Sequence, residues 1–449
     1  MARIIIVWGL WGPYHCRRFE ALRDLAGAEG HEVTGVSLFS GSSDYQWTSG
    51  NLPAGAVHFD LGKDETRFPL GKLGSLLAVP WKLRPDVALL PSYDHWSLTL
   101  NAATRLAAGR LVMMNDTHAG TARARGLKAA FKQRIVAGFH AGFVAGSPQR
   151  RYFASLGLPE EKIFTGYDAV DNDYFASKSD EIRNRKSQVR KQYGLPEHYF
   201  LSLGRFVAKK NLLVLIRAYR QLLDSNPFCH THLVMVGSGE EESKMRALCE
   251  ELRLPVYQKT SAGNENGTPL SQDDAPGVHF YGFRQIGENP VFYALADAFV
   301  LPSLWEEWGL VVNEAMASGL PVVVSETAGC AEDLLPAGRP AGFETLNLAT
   351  SNDQRAPNLF VEGIRQNGFV FHPKSPETLA AALGALASTP ALRVVMGENS
   401  RKIVDHFSCE NFAKNALLAA RVAMGESLAA PCNAEPAKEA MGLDSKLFS

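Results

Sequence analysis

The chain has 449 residues, of which 46% are hydrophobic and 21% charged, and its formal net charge is −1 at pH 7. That balance fits a globular chain of two or three domains whose cores hold without staples; it implies no bulk polyelectrolyte partner, and no nucleic acid is expected. The six cysteines are scattered with no C-x-x-C pair, which argues against a disulfide framework or a zinc site and fits a reducing cytoplasm.

The chain opens on "RIIIVW", a β-branched run over 3–8 that reads as a buried first strand, followed by the glycine-containing loop "GLWGPYH". This opening is too short in apolar residues for a signal peptide and lacks a small-residue cleavage site. An amphipathic stretch, "RRFEALRDLAGAEG", leads to a second strand, "EVTGVSLF". "PDVALLPS" and "GRLVMMND" are further strands, with the helical pattern "HWSLTLNAATRLA" between them, and "HAGFVAGSPQRRYFASLG" is another strand and helix. Strands alternating with helices predict a mainly parallel sheet covered on both faces. Residues 1–150 are also mildly basic, with 17 Lys/Arg against 11 Asp/Glu.

The polar segment 176–198 reads as a connection between domains. The same alternation then resumes. "YFLSLGRF", "THLVMVGSG", "AFVLPSL" and "LPVVVSE" are strands, and "NLLVLIRAYRQLL", "EEESKMRALCEEL" and "LVVNEAMASG" are helices. "SPETLAAALGALA" is a helix capped by Ser375, with Thr378 where a full capping box has Glu or Gln. Residues 260–277 and 337–358 are rich in Gly, Pro, Asn, Asp and Ser and read as long loop insertions. The expected division is an N-terminal domain over 1–180, a second over 181–405, a helix over 406–426 that packs back towards the first domain, and a disordered tail over 427–449. No run of about 18 uninterrupted apolar residues predicts a membrane span.

Ligands of parallel αβ sheets bind beyond the carboxyl ends of the strands. Three stretches of the second half fall there. "LGRFVAKKN" supplies Arg205, Lys209 and Lys210, cations suited to a phosphate or diphosphate; a solvated charged loop is the other account. "VGSGEEE" is an incomplete dinucleotide fingerprint, with Glu242 where the third glycine belongs, and a tight strand-to-helix turn explains it equally. "PSLWEEWGLVVNEAMASGLPVV" sets Glu306 in a loop and Glu314 about one turn into a helix whose first amides favour an anion. Each carboxylate can accept two adjacent sugar hydroxyls, and two such groups suit a ligand with two sugars, such as a nucleoside diphosphate sugar.

"GRFVAKKN", the Glu-x7-Glu stretch around Glu306 and Glu314, and "NGFVF" resemble the second domain of the retaining glycosyltransferases of family 4. "GHEVTGV" and "VAGSPQRRYFASLGLPEEKIFTGYDAVDNDYF" extend the likeness to roughly residues 3–424. The resemblance implies an α/β protein of the GT-B fold, with two Rossmann-like αβ domains facing each other across a cleft. It implies transfer of a sugar from a UDP- or GDP-linked donor to a hydroxyl of a saccharide, lipid-linked or small-molecule acceptor, with no cofactor and no metal. Arg205 and Lys210 match the pair that holds the donor diphosphate, Glu306 the glutamate near the transferred sugar, and Glu314 the one on the ribose. Trp308, Gly309 and Leu310 fall in the same donor-binding stretch, and His118 follows a first-domain strand where relatives often carry a polar or histidine side chain.

The sequence also departs from the family. Glycine is usual where Glu307 stands, phenylalanine where Trp308 stands, and Lys209 occupies a position that relatives leave free or fill differently. Gly9 and Gly12 are separated where many relatives pair glycines, which leaves Gly12, His15 and Arg17 as candidates for an acceptor or phosphate loop. Asp171 and Asp173 match the D-x-D of metal-dependent transferases, but relatives have a similar turn there. Two rival readings are a non-catalytic nucleotide-sugar or glycan-binding module and a nicotinamide-dependent oxidoreductase. Residues 123–134 hold five Lys/Arg and no acid, with Leu127, Phe131 and Ile135 at helical spacing. That pattern suits peripheral contact with anionic lipid at the inner face of a membrane; a core helix with a solvated basic face fits it too.

Overall fold

The computed structural model describes residues 1–41, 51–64, 66, 69–91, 93, 95–107, 109–122, 126–258, 275–336 and 366–427. The chain divides into two compact units. Among the described residues, one is built from 1–171 with 406–427, and the other from 172–405.

In the first unit the elements are β1 (Arg3–Trp8), α1 (Pro13–Ala28), β2 (Glu32–Ser37), β3 (Ala56–His58), α2 (Leu73–Leu83) and β4 (Val87–Pro91). They continue with α3 (His95–Leu106), β5 (Arg110–Asn115), α4 (Leu127–Val136), β6 (Ala141–Val144), α5 (Ser147–Ser155) and β7 (Ile163–Phe164). The last described helix, α15 (Cys409–Met424), belongs to this unit as well. The strands form one parallel sheet in the order β3-β2-β1-β4-β5-β6-β7. A strand alternates its side chains between two faces, and a parallel sheet is covered on both, so both sets are apolar. Ile4, Ile6 and Trp8 pack with α1 and α15, whereas Ile5 and Val7 pack against the opposite core with Leu76, Leu100 and Phe153. The small residues Ala413, Ala416 and Ala420 let α15 lie close to that first face.

The second unit holds α6 (Asn172–Asn184), α7 (Lys186–Tyr193), β8 (Tyr199–Leu203), α8 (Leu212–Ser225), β9 (His232–Val236), α9 (Glu242–Glu251), β10 (Val256–Gln258) and β11 (Val278–Phe280). It continues with α10 (Asn289–Leu295), β12 (Ala298–Leu301), α11 (Leu310–Ala317), β13 (Val322–Ser325), α12 (Ala331–Leu334), β14 (Gly368–Phe371), α13 (Pro376–Ser388) and α14 (Pro390–Val404). Its sheet, β10-β11-β9-β8-β12-β13-β14, is again parallel throughout. Phe200, Leu233, Met235, Val300 and Val323 meet the apolar stripes of α8, α9 and α13 in one core.

The contact boundary lies between Asp171 and Asn172, nine residues before the division expected at 180/181. Residues 176–198, expected to connect the domains, form most of α6 and α7 instead. Their charge is that of surface helices: Lys178 and Arg185 pair with Glu181, and Arg183 with Asp180, at helical spacing. Meanwhile Phe175, Ser179 and Ile182 face inward. Most of both expected insertions, and the tail beyond 427, lie outside the described residues.

Among the described residues no single helix is long and apolar enough to cross a membrane. In α4 the outcome is mixed. Leu127 and Phe131 point outward at 91% and 62% exposure, but Lys132 is buried, its ammonium 4.0 Å from the centre of the Tyr93 ring and 2.9 Å from the Tyr152 hydroxyl. Lys132 therefore belongs to the packing and not to a basic surface; Arg123 and Arg125 lie outside the described residues.

Candidate active site

The strand order of the second sheet reverses direction between β8 and β12: the chain runs outward from β8 to β9 on one side and returns to β12 on the other. The carboxyl ends of two such strands diverge and leave a crevice. Both sequence stretches with charged candidates start there. The loop after β8 carries Arg205, Lys209 and Lys210, and the loop after β12 carries Ser303, Glu306 and Glu307. A small recess between them is lined by Gly204, Arg205, Phe206, Lys210 and Pro302 among others.

The two loops are bolted together. Asn211 sits in the left-handed region, with φ 56°, and starts α8. Its amide donates to the carbonyls of Pro302 (3.0 Å) and Pro373 (2.8 Å), so one side chain ties the ends of β8, β12 and β14. The Leu304 N–H donates to the Lys209 carbonyl at 2.8 Å, and the Gly329 N–H to the Glu306 carbonyl at 3.0 Å. Gly309, with φ 112°, turns the chain into α11 in a conformation that side-chain-bearing residues avoid.

Glu306 is buried at 8% exposure, yet charged partners surround it. The Lys210 ammonium and the Ser303 hydroxyl (3.2 Å) donate to Oε2, and the Lys209 ammonium lies 3.4 Å from Oε1. Burial pushes the carboxyl pKa upward, but Lys210 and Lys209 with these hydrogen bonds outweigh it and hold it below the ordinary glutamate value. Lys209 also donates to Glu307 at 3.0 Å. Desolvation works against its charge, and the two glutamates more than compensate, so its pKa is raised.

Two other members of the stretch lie inside the unit. Glu314 is wholly buried on α11, where it accepts from the Tyr293 hydroxyl (2.7 Å) and faces Asn289 of α10 (3.5 Å). Its carboxylate is closed in this arrangement, because the apolar flanks that kept it off the surface drive it into the α10–α11 contact. Trp308 is likewise internal at 2% exposure, its indole N–H donating to Asn313 at 2.9 Å. An aromatic at this place reads as a binding surface from sequence, but here it fills the base of the loop.

The glycines of "VGSGEEE" have a packing explanation. A Cβ on Gly237 would lie 1.9 Å from the Gly204 carbonyl oxygen, and one on Gly239 would lie 2.3 Å from that of Phe206. The Phe206 N–H donates to the Ser238 carbonyl (2.8 Å) and the Glu241 N–H to the Phe206 carbonyl (2.9 Å). These residues let the β9 turn pass against the β8 loop, which removes the main support for a dinucleotide fingerprint.

The first-unit candidates sit beyond other strands. His118 follows β5 and is 9% exposed; its Nδ1 accepts from the Gly120 N–H at 3.2 Å, and its carbonyl caps the turn through Thr121 and Ala122. Gly12 begins α1, where the His15 ring accepts the Gly12 N–H at 2.8 Å and the His15 N–H donates to the Gly12 carbonyl at 3.1 Å. This is a reciprocal capping pair with histidine in the role usually taken by Glu or Gln. Desolvation, helped by Arg18, lowers the His15 pKa to about 3, so the ring is neutral. Its expected role in an acceptor or phosphate loop therefore has a structural competitor. Arg17 is also engaged, with Asp171 at 3.1 Å. Asp173 lies in the first turn of α6, and no group of three or more His, Cys, Asp or Glu able to hold a metal occurs among the described residues.

Two parallel seven-stranded sheets, the second with charged loops at its reversal of strand order, define a two-unit Rossmann-like protein with a candidate ligand site in its second unit. Residues 197–389 match the family described as Glycosyl transferases group 1. An uncharacterised glycosyltransferase of Methanocaldococcus jannaschii is 26% identical over 285 residues, 63% of this chain and 59% of the relative. This chain spans about half the length of the curated relatives it matches. A glycosyltransferase structure from Rickettsia africae superposes with a TM-score of 0.64 at 15% identity, covering 95% of this chain and 99% of that one. An Anabaena protein solved in complex with UDP gives a TM-score of 0.59 at 16% identity, covering 93% and 99%. The chain has the GT-B fold that the resemblance implied, and the match to the group 1 glycosyl transferases falls on its second unit.

Proposed function

We propose that the chain is a retaining glycosyltransferase that moves a sugar from a nucleoside diphosphate sugar to an acceptor hydroxyl without a metal ion. One observation carries this reading: Arg205, Lys210 and Glu306 come from two distant stretches and converge at the strand-order reversal of the second sheet. The group 1 match over 197–389 supports the reaction class, and the UDP found in the Anabaena relative supports the donor class.

Arg205 and Lys210 would hold the donor diphosphate, helped by the amides at Gly309 and Leu310. The acceptor oxygen would bond to the anomeric carbon from the face that the diphosphate leaves. As the bond to the diphosphate breaks, a diphosphate oxygen would take the acceptor's proton, and the two cations would stabilise the negative charge that develops. Glu306 is a poor nucleophile for a double displacement, since both its oxygens face lysine ammonium groups. It serves better as an acceptor for hydroxyls of the transferred sugar. Glu314 would meet the ribose by exchanging the Tyr293 hydroxyl for a ribose hydroxyl, one O–H donor for another at the same oxygen.

The acceptor is a saccharide or a lipid-linked hydroxyl. Outward-facing Leu127 and Phe131, with Lys128 and Arg134 beside them on α4, suit contact with anionic lipid on the cytoplasmic side. A second outward stripe, Leu73, Leu77 and Trp81 with Lys72, Lys82 and Arg84, has the same composition. The functional test is turnover of a panel of nucleoside diphosphate sugars by wild type and Glu306→Ala with a chelator present. Wild-type hydrolysis or transfer that the variant loses supports the reading. Full turnover by the variant refutes the site, and activity that needs added manganese refutes metal independence.

A further inference from the structure

We propose that Lys209 and Glu307 form a counter-ion couple that keeps Glu306 charged and in position when Lys210 turns to an anionic ligand. The proposal rests on the donor-site reading above and deepens it. It concerns the two charged residues among the three that depart from the resembled family, Lys209, Glu307 and Trp308.

Glu306 receives two ammonium groups on different oxygens, Lys210 on Oε2 and Lys209 on Oε1. An arriving diphosphate competes for Lys210, which lines the recess with Arg205. A carboxylate as buried as Glu306 would then tend to take up a proton or move, because its desolvation is no longer offset. Lys209 can take over. Its ammonium already lies 3.4 Å from Glu306, and Glu307 fixes it from the other side at 3.0 Å. Its backbone carbonyl, bonded to the Leu304 N–H, ties it to the same loop that carries both glutamates. The extra cation and the extra anion therefore belong together. Lysine alone would draw Glu306 too strongly towards itself, and glutamate alone would set a second negative charge beside a buried one. As a couple they add a cation near Oε1 with little change in net charge. Lys209 is thus a positioning residue, distinct from the cations that touch the ligand.

Two measurements on Lys209→Met, Glu307→Gly, Lys209→Arg and the Lys209→Met/Glu307→Gly double variant test this. The first is a titration of the Glu306 side chain in the ligand-free protein, by carbon-13 NMR of labelled glutamate assigned with Glu306→Gln. The expected result is a rise in Lys209→Met, reversed at least in part in the double variant and absent in Lys209→Arg. The second measures UDP affinity by calorimetry and turnover of a nucleoside diphosphate sugar against pH. In Lys209→Met the acidic limb of kcat should move to higher pH, so that kcat measured on that limb falls while kcat near neutral pH changes little. UDP affinity should change far less, and the double variant should be more active than the single on that limb. An unmoved Glu306 titration in Lys209→Met overturns the couple. So does a loss of UDP affinity equal to the loss in kcat/KM, since Lys209 would then be a ligand contact. A titration that moves as expected in a wild type that binds no nucleoside diphosphate upholds the couple and overturns the donor-site reading alone.

Discussion

Replacing Lys210 with Met removes one ammonium group and keeps most of the stem that packs under the loop. Lys210 and Glu306 side chains are 13% and 11% exposed, so their pairing is screened little by solvent. Breaking a buried pair by removing one partner costs about 3–5 kcal/mol when the other charge is left bare. Here Glu306 keeps Ser303 at 3.2 Å and Lys209 at 3.4 Å and is not left bare, so a loss of about 2 kcal/mol, below that range, is expected. For a unit of this size that corresponds to a fall of roughly 4–8 °C in Tm. The sign with pH follows from Glu306. Its pKa is lowered in the folded state, so it contributes stability above the unfolded carboxylate value, and that contribution is lost as pH falls through the folded value. Without Lys210, burial pulls the folded value back up, so the Tm deficit of the variant should be largest near neutral pH and shrink in acid. UDP affinity should fall by roughly 10- to 150-fold, the worth of one charge-assisted hydrogen bond of about 1.5–3 kcal/mol. Melting curves from pH 4 to 8 and calorimetric UDP titrations check both. An affinity within twofold of wild type would remove Lys210 from the diphosphate site, and a Tm deficit independent of pH would refute the coupling to Glu306.

Gly239→Ala should lower stability by roughly 2 kcal/mol or more through overpacking, because its Cβ would press on the Phe206 carbonyl at a φ of 157°; a variant that melts like wild type refutes the packing account of the glycine pair. His15→Gln keeps an acceptor for the Gly12 N–H but does not titrate. Wild type should lose stability relative to it as pH falls from 6.5 towards 3, by at most about 1.4 kcal/mol per pH unit, since the neutral ring is favoured only in the folded state. Parallel pH–Tm curves would show that the ring is not the capping acceptor. Glu314→Gln should weaken UDP binding by about tenfold or more if a ribose hydroxyl replaces Tyr293; unchanged calorimetry would leave Glu314 a purely structural residue. Leu127→Ser/Phe131→Ser should leave melting nearly unchanged and abolish pelleting with anionic vesicles, and equal pelleting with wild type would discard lipid contact by α4.

The parallel architecture was legible because strands buried on both faces leave β-branched runs, and "RIIIVW" and "LPVVVSE" form β1 and β13 nearly as read. Short elements escaped for the opposite reason. β3, β10 and β11 have three residues each, too few to display any period, and α2 carries an interior Pro80 that breaks the helical signal. At the site, sequence spacing identified which strand ends matter but not which way each side chain turns. Glu306 and Glu314 are both carboxylates in a mostly apolar stretch. One ends up against two lysines from a stretch almost a hundred residues earlier, and the other against a tyrosine of the preceding helix. Neither partner is visible from local pattern, because parallel sheets build their strand-end sites from contacts that are distant in sequence. Asn211 shows the same limit in a single residue. It was present in the quoted motif, but its left-handed backbone and its two bonds to the β12 and β14 loops exist only once all three strands lie side by side. The residue types state what chemistry is available, and the strand order decides which of them meet.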